Sequence, residues 1–292
     1  GAPTAVAAQR DYTMWLPGLH LRHELAKNLI LRESYNRSYS RPDVNSLVQG
    51  LNLDTNTGNI SGGNPNLAPS TSHNLDVQLE YYTPKGGLYS AGVFYKKMKG
   101  FYYDSTLRFT NTDANGYPIP DPNGARLYTT TDNALGAVNY GLELIARQRL
   151  LFLPAPFNGL GVSLSATLTK SDGKYPGRLE EKLPTYGFSD RIYNAALEYS
   201  GGGFRARLSY TYRSDFLEGL DVNNLFDDYF GAYESLNWES SYQLNRRTRL
   251  FLNVNNLTDE PQISYQGVGR PDNPEDYTTY SWRATTGVSF RF

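Results

Sequence analysis

The stretch YSWRATTGVSFRF, residues 280–292, divides into two alternating sets. Tyr280, Trp282, Ala284, Thr286, Val288, Phe290 and Phe292 form an apolar, aromatic set. Ser281, Arg283, Thr285, Gly287, Ser289 and Arg291 form a polar, cationic one. Side chains of a strand point alternately to opposite faces, so this pattern predicts a strand between an apolar and a wet environment. One strand of a soluble sandwich would show the same alternation. The rest of the chain must decide whether the apolar face meets a core or lipid.

Ten earlier stretches repeat the pattern. Leu19, Leu21 and Leu25 alternate with His20, Arg22 and Glu24, and Leu29 and Leu31 restart a run that continues to Ser40. Glu33 falls on the apolar side of that run and fits it poorly. Leu75–Tyr82, Tyr89–Lys96, Val138–Arg147, Leu160–Thr169, Tyr193–Ser200, Phe204–Arg213, Leu236–Leu244 and Arg249–Asn255 follow. Most approach the ~9–11 residues that a tilted strand needs to cross a bilayer. Short turns near Ala26, Pro84, Pro154, Gly202 and Asn245 alternate with long polar loops at 41–72, 110–126, 171–184, 214–231 and 258–276. Outer-membrane barrels distribute periplasmic turns and extracellular loops in this rhythm. The expected fold is therefore all-β: an antiparallel up-and-down transmembrane β-barrel, about eleven strands of which lie here. A soluble β-sandwich or lectin-like module is the alternative, but its strands are commonly ~5–6 residues long.

Composition agrees. The chain has 292 residues, 39% hydrophobic, with 24 Tyr, no Cys and a net charge of -1. A barrel with a wet lumen needs only a thin outer apolar layer and concentrates aromatics at its two girdles. The charge balance gives no bulk attraction to nucleic acid, and the lack of Cys removes disulfides and thiolate chemistry. No apolar run is long enough for a transmembrane helix. Gly1 to Arg10 is no signal peptide, which leaves a cytosolic protein, a mature chain or an internal part of a longer one.

Four stretches together carry a resemblance. They are Leu31-Arg32 through Ser40-Arg41-Pro42-Asp43; Gly63-Asn64-Pro65-Asn66-Leu67-Ala68-Pro69 followed by Ser72, Asn74, Asp76, Glu80 and Tyr81; Asn255-Asn256-Leu257-Thr258-Asp259-Glu260-Pro261; and Gly287-Val288-Ser289-Phe290-Arg291-Phe292. In order and spacing this set resembles the TonB-dependent outer-membrane receptors, where the Pro69 region more often reads Lys/Arg-Pro-Glu. The resemblance implies a barrel of about 22 strands closed around an N-terminal plug domain. Residues 1–292 would then be the C-terminal part of that barrel, without the plug and the N-terminal strands. It also implies bacterial outer-membrane location and energy-coupled uptake of a scarce or large solute. Carbohydrate is favoured over siderophore iron, on the Ser-Arg-Pro region. The implied partners are outer-membrane lipid, the plug, the TonB complex acting through the plug, the barrel assembly machinery reading Phe290 and Phe292, and a small-molecule or oligosaccharide ligand. A passive porin-like channel is the alternative within the membrane.

No arrangement for nucleophilic or general acid–base catalysis is recognisable, so no enzyme, cofactor or metal is expected. His20, His23 and His73 have no metal-binding spacing. Asp221, Asp227 and Asp228 read as a solvated acidic loop rather than a calcium loop. Arg205, Arg207, Arg213, Arg249, Arg283 and Arg291 fall on the polar face and are expected to meet Glu143, Glu198, Glu239 or the plug. Ligand contacts are expected from loop aromatics and polar groups: Tyr117, Tyr128, Tyr175, Phe216, Phe226, Tyr229, Phe230, Tyr265 and Arg270. Aromatics beside Asn and Asp suit sugar rings and aromatic iron chelators alike.

Overall fold

The computed structural model describes residues 11–48, 50–113, 118–121, 123–221 and 223–291. Eleven long strands form one antiparallel sheet. They are β1 (Gly18–Ala26), β2 (Leu29–Ser40), β3 (Ser70–Tyr82), β4 (Leu88–Lys99), β5 (Gly136–Arg149), β6 (Leu160–Lys174), β7 (Arg191–Gly201), β8 (Phe204–Arg213), β9 (Tyr233–Gln243), β10 (Thr248–Asn255) and β11 (Arg283–Phe290). Each pairs with its neighbours in chain order. Strands β1 and β11 are the two edges and do not pair with each other, so the wall is an open part of a barrel.

The register aligns the apolar sets into one continuous face. A row runs from Leu31 to Leu79 to Ala91 to Leu144 to Ala166 to Tyr193 to Tyr212 across successive strands. Another runs Leu197, Leu208, Trp238, Val254, Ala284. A one-residue slip at any pairing would throw the following strands onto the wrong face. Nothing covers this face: Leu19, Leu75, Val93, Leu164 and Leu197 are each 48–57% exposed. Among the described residues, the buried hydrophobics lie in the long loops, apart from Ala137 and Ala196. A soluble sandwich would bury the apolar face of its strands, so this face is built for lipid. No described helix is long and apolar enough to cross a membrane.

Glu33 lies on the outward face between Leu21 and Val77. Its carboxylate is 3.5 Å from His23 Nε2, on the same face of β1. That pairing accounts for the charge that the alternation could not place. The inward face is joined by polar ladders. Arg32 Nε donates to Glu80 at 2.9 Å, Ser34 faces Asp76, and Asn74 Nδ2 donates to Asn36 at 2.8 Å. Two inward phenylalanines, Phe94 and Phe251, interrupt the polar pattern. Each lies over a cross-strand glycine, Gly141 and Gly287 respectively.

The structure corrects the expected boundaries at three places. The terminal strand begins at Arg283, not Tyr280, because its partner β10 ends at the Asn255–Arg283 pairing and Ser281 turns the chain with φ 54°. Strand β6 runs on to Lys174, since Gly136–Asn139 continue to pair with it. The long loops are also not structureless. The first two build a five-stranded sheet from Leu51–Leu53, Ile60–Gly62, Arg126–Asn133, Tyr102–Thr112 and Pro118–Pro120. The last two build a four-stranded sheet from Phe216–Gly219, Asp228–Phe230, Gln262–Gln266 and Pro274–Thr278. The turns at 27–28, 83–87, 150–159, 202–203 and 244–247 are all on the opposite rim.

A Cβ on Gly141 would stand 2.1 Å from the Leu168 carbonyl oxygen and 2.7 Å from the Phe94 ring. Gly141→Ala is expected to lower wall stability by about 1–3 kcal/mol. Urea unfolding of the full-length protein refolded into lipid vesicles measures this. A lower midpoint at unchanged slope is predicted, and an unchanged midpoint contradicts it.

Candidate ligand site in the long-loop cap

The segments 41–69, 100–135, 175–190, 214–232 and 256–282 meet over one rim. The first is tied to the second by the Gly63–Pro69 stretch. Asn64 Nδ2 donates to the Thr131 carbonyl at 3.3 Å, and Ala68 N–H donates to Asn133 Oδ1 at 2.7 Å. Tyr102 Oη donates to the carbonyls of Ser40 and Ala68 at 3.0 and 3.1 Å. Gly63 must be glycine, since a Cβ would lie 2.2 Å from the Val48 carbonyl oxygen. The Asn256–Pro261 stretch is a self-capped loop. Asn256 stands at φ 53°, a conformation asparagine tolerates, and its amide bonds both backbone groups of Glu260 at 3.0–3.1 Å.

At the centre is an aromatic core. Tyr175 is fully buried, edge-on to Phe101 and Tyr103 at ring distances of 5.6 and 4.9 Å. Its hydroxyl donates to the Pro184 carbonyl and accepts from Tyr186 N–H, both at 2.8 Å. Burial raises its pKa and keeps the hydroxyl protonated. Tyr265 stacks on Tyr229 at 5.5 Å and donates to the Asp215 carboxylate. Burial pushes the Tyr229 hydroxyl up to about 12. Leu217, Leu220 and Leu183 complete the cluster. Backbone bonds join the loops around it: Thr106 N–H to the Leu220 carbonyl at 2.9 Å, and Gly187 N–H to the Leu217 carbonyl at 2.9 Å.

Arg178 fastens this core. Its Nη1 and Nη2 donate to the two Asp227 oxygens at 2.7 and 2.8 Å, and Nε and Nη2 donate to Glu181 at 2.6 Å. Nη1 also donates to the Asp221 carbonyl at 3.0 Å, while Asp221 N–H donates to Asp227 Oδ1 at 3.1 Å. Burial alone would lower the Arg178 pKa, but the bonds to Asp227 and Glu181 outweigh it and hold it above its usual value. Burial likewise pushes the Asp227 carboxyl up, against the pull of Arg178. The expectation of a solvated acidic loop is thus wrong for Asp227: its side chain is 0% exposed and serves as an internal tie. No described group of three His, Cys, Asp or Glu side chains is placed to hold a metal ion.

Two features of the cap present chemistry to a solute. The first is a cleft of about 470 Å³ between three loops, with Tyr103, Arg108, Asp121, Arg178 and Asn223 among its walls. Its size is within the range of small-molecule sites. The second is Arg213, the last residue of β8, on the inward face under the cap. Its guanidinium carbon lies 4.5 Å from the centre of the Phe216 ring and 4.3 Å from that of Phe230. Its Nη1 is buried with no hydrogen-bond partner.

The expected site residues separate accordingly. Phe216 and Phe230 belong to the Arg213 cluster, and Phe226 and Arg270 are on the cap surface. Tyr175, Tyr229 and Tyr265 pack inside the cap, while Tyr128 packs with Ile60 and Phe109 in a second small core. Tyr117 and Phe292 lie outside the described residues. Arg205, Arg207, Arg249 and Arg283 occupy inward positions of the wall, and Arg291 follows the last strand. Arg207 pairs with Glu198 and faces Glu239. With Arg149, Arg205 and Arg249 these line a polar recess of about 680 Å³ near the short-turn rim. Phe290 ends the outward face and is 64% exposed. Tyr103, Arg108 and Asn223 were missed, although the β-prone run Tyr102–Thr112 signals a strand.

Removing one partner of a buried ion pair leaves the other uncompensated, at about 3–5 kcal/mol. Arg178→Ala is therefore expected to lower the opening free energy of 175–190 and 214–232 by that order, leaving the wall strands protected. Amide hydrogen exchange reads this; unchanged loop protection would refute it. Asp228 provides a pH test. Burial first, and then repulsion from Glu275, push its carboxyl up to about 6 from 3.8. The folded cap holds that proton more tightly than the open one, so this contribution is present below pH 4 and lost as pH rises through 6. Opening of the four-stranded loop sheet should become easier from pH 4 to 7, after correction for intrinsic exchange. Asp228→Asn should flatten that dependence.

Residues 1–257 match the family model described as TonB dependent receptor-like, beta-barrel. No curated protein matches the chain. Among solved structures, a variant of the ferric enterobactin receptor PfeA from Pseudomonas aeruginosa, in complex with enterobactin, is similar at 19% identity and a TM-score of 0.61. The similarity covers 94% of this chain and 40% of that one. The siderophore receptor PirA from Acinetobacter baumannii is similar at 15% identity and a TM-score of 0.59, over 96% of this chain and 41% of that one. The copper transporter OprC is similar at 15% and 0.60, over 94% and 39%. The chain thus spans about two fifths of the length of these relatives. With an exposed apolar wall, a polar inner face and a folded cap of long loops, matched over most of its length, the chain belongs to the TonB-dependent receptors, a family of outer-membrane β-barrels.

Proposed function

We propose that this chain is the C-terminal part of the barrel of a receptor for energy-coupled uptake across the bacterial outer membrane. The observation that carries the proposal is where the apolar surface lies. The wall presents its apolar face uncovered, while the buried aromatic core holds the long loops together over one rim. A wall of this kind suits lipid, and a preordered cap suits capture of a solute. In this account the cap is extracellular and the short turns are periplasmic. The remaining strands pair with β1 and β11, and a plug domain occupies the polar lumen against Arg205, Arg207 and Arg249. The TonB complex acts through that plug. Transport makes and breaks no covalent bond.

For the solute, the carbohydrate preference gains no support from the relatives, which are described as a ferric enterobactin receptor, a siderophore receptor and a copper transporter. An anionic metal chelate with aromatic groups suits the cap better. Arg213 offers a guanidinium set against two phenyl rings, with one nitrogen lacking an acceptor. Arg108 adds a second cation at the cleft. Anionic oxygens would be bound by charge-assisted hydrogen bonds and flat rings by stacking.

The test is binding and uptake by the full-length receptor. Saturable binding of a ferric tricatecholate is expected, weakened at least 10-fold by Arg213→Ala, given ~1.5–3 kcal/mol for a hydrogen bond to a charged group. Uptake should stop when the proton gradient is collapsed. Binding of maltooligosaccharides instead of the chelate would contradict the substrate proposal. Uptake that survives the uncoupler would instead establish a passive channel.

A further inference from the structure

The outward face carries an unpaired cationic patch beside the long-loop rim. Arg37 of β2 stands directly across from His73 of β3, and His73 stands across from Lys97 of β4. One step nearer the rim, Tyr39 faces Thr71 and Thr71 faces Lys99. These positions are two or four residues along their strands from Tyr35, Leu75 and Tyr95, so all lie on the outward face with them. Arg41 adds a further cation. Its guanidinium carbon is 5.8 Å from the centre of the Tyr39 ring, and its Nη2 donates to Tyr39 Oη at 3.3 Å. His73 is fixed by Tyr35, whose hydroxyl is 2.9 Å from Nδ1.

Among the described residues, Arg37, Arg41, Lys97 and Lys99 form no ion pair. The Nε of Arg37 is buried without a hydrogen-bond partner, and its Nη1 has only the Trp15 carbonyl at 3.4 Å. Arg37 and Lys97 lie two strands apart on either side of His73, and Lys99 is next along β4 on the same face, so their like charges repel. A cluster of cations that no carboxylate pairs with is unfavourable for the wall unless an anion from outside neutralises it. Its depth identifies that anion. The row Tyr35, Leu75, Tyr95, Tyr140 lies immediately below it, where an aromatic girdle meets the lipid headgroups. At the opposite rim the cations Lys27, Lys85, Arg246 and Arg247 lie in the short turns, not on the outward face of the strands. Outward positions there are Leu29, Tyr81, Tyr89, Tyr199, Phe204 and Tyr242, none of them cationic. The two leaflets therefore meet chemically different belts of the same wall.

We propose that Arg37, Arg41, His73, Lys97 and Lys99 form a binding site for the phosphate groups of an anionic glycolipid in the outer leaflet. The arginine and lysine groups donate to phosphate oxygens, while Tyr39 and Thr71 border the headgroup. This rests on the membrane orientation proposed above, and the experiment separates the two.

Full-length receptor is inserted into phosphatidylcholine vesicles containing either diphosphorylated or dephosphorylated lipid A. Retained lipid is then counted by native mass spectrometry after extraction. Preferential retention of the diphosphorylated form is expected. The double variant Lys97→Gln/Lys99→Gln should weaken it by roughly 10-fold or more. Lys85→Gln, in a short turn, should leave it unchanged, and strand content by circular dichroism should be the same in all three proteins. Insertion with equal retention of both lipids, or with full retention by the double variant, overturns this site and leaves the orientation standing. Failure of the folded protein to insert at all overturns both.

Discussion

A strand that crosses hydrocarbon must give every backbone N–H and C=O to a neighbouring strand, because no water is there to take them. The ten antiparallel pairings of the wall meet that demand, and the side-chain pattern follows from it. Once the ladder is fixed, alternate residues face lipid and lumen. The outward rows become Leu, Val, Ala and Tyr, while the inward rows become Ser, Thr, Asn, Glu and Arg. Three of the local exceptions have partners. Glu33 has His23 beside it, and Phe94 and Phe251 cover glycines whose missing Cβ leaves the space their rings fill. The same demand bears on β1 and β11, whose outer backbone edges need strands from the rest of the receptor.

The cap follows a different rule. Its residues sit in water, so it holds together as a soluble domain does, by burying aromatics and tying loops with charge. Tyr175, Tyr229 and Tyr265 supply the buried area, and Arg178 with Asp227 and Glu181 supplies the tie. The loops are thereby preordered around the cleft and the Arg213 cluster. A receptor that captures a dilute solute gains affinity from this, since little ordering remains to be done on binding.

How much of this was legible in the sequence follows from the same division. Period-two alternation is imposed by the membrane, so the strands, their order and the position of the short turns could be read directly. Strand ends could not, because they depend on the partner: β6 continues to Lys174 because Gly136 is opposite, and β11 waits for Asn255. The cap was the least legible. Its strands are short, broken by Gly, Pro and Asn, and stabilised by contacts between segments far apart in sequence. Tyr175 therefore read as a loop tyrosine for ligand contact, and Asp227 as one more surface carboxylate. Only the fold shows that Arg178, 49 residues away, meets it. The Arg213 cluster was half visible: its phenyl rings stood out, but their relation to the end of β8 did not.

The central claim is that one rim of this wall faces the outside of the cell, the other the periplasm, and the apolar face between them lipid. The chain contains no cysteine, which makes the claim directly measurable. In the full-length receptor in intact cells, Asn223→Cys in the cap, Arg246→Cys in a short turn and Val93→Cys on the outward face would be exposed to a membrane-impermeant maleimide, with the unmodified receptor as blank. Labelling of the Asn223 variant alone is predicted, with the Arg246 variant reacting only after the outer membrane is permeabilised and the Val93 variant resisting in both cases. Labelling of the Arg246 variant in intact cells, or ready labelling of the Val93 variant, would contradict the account.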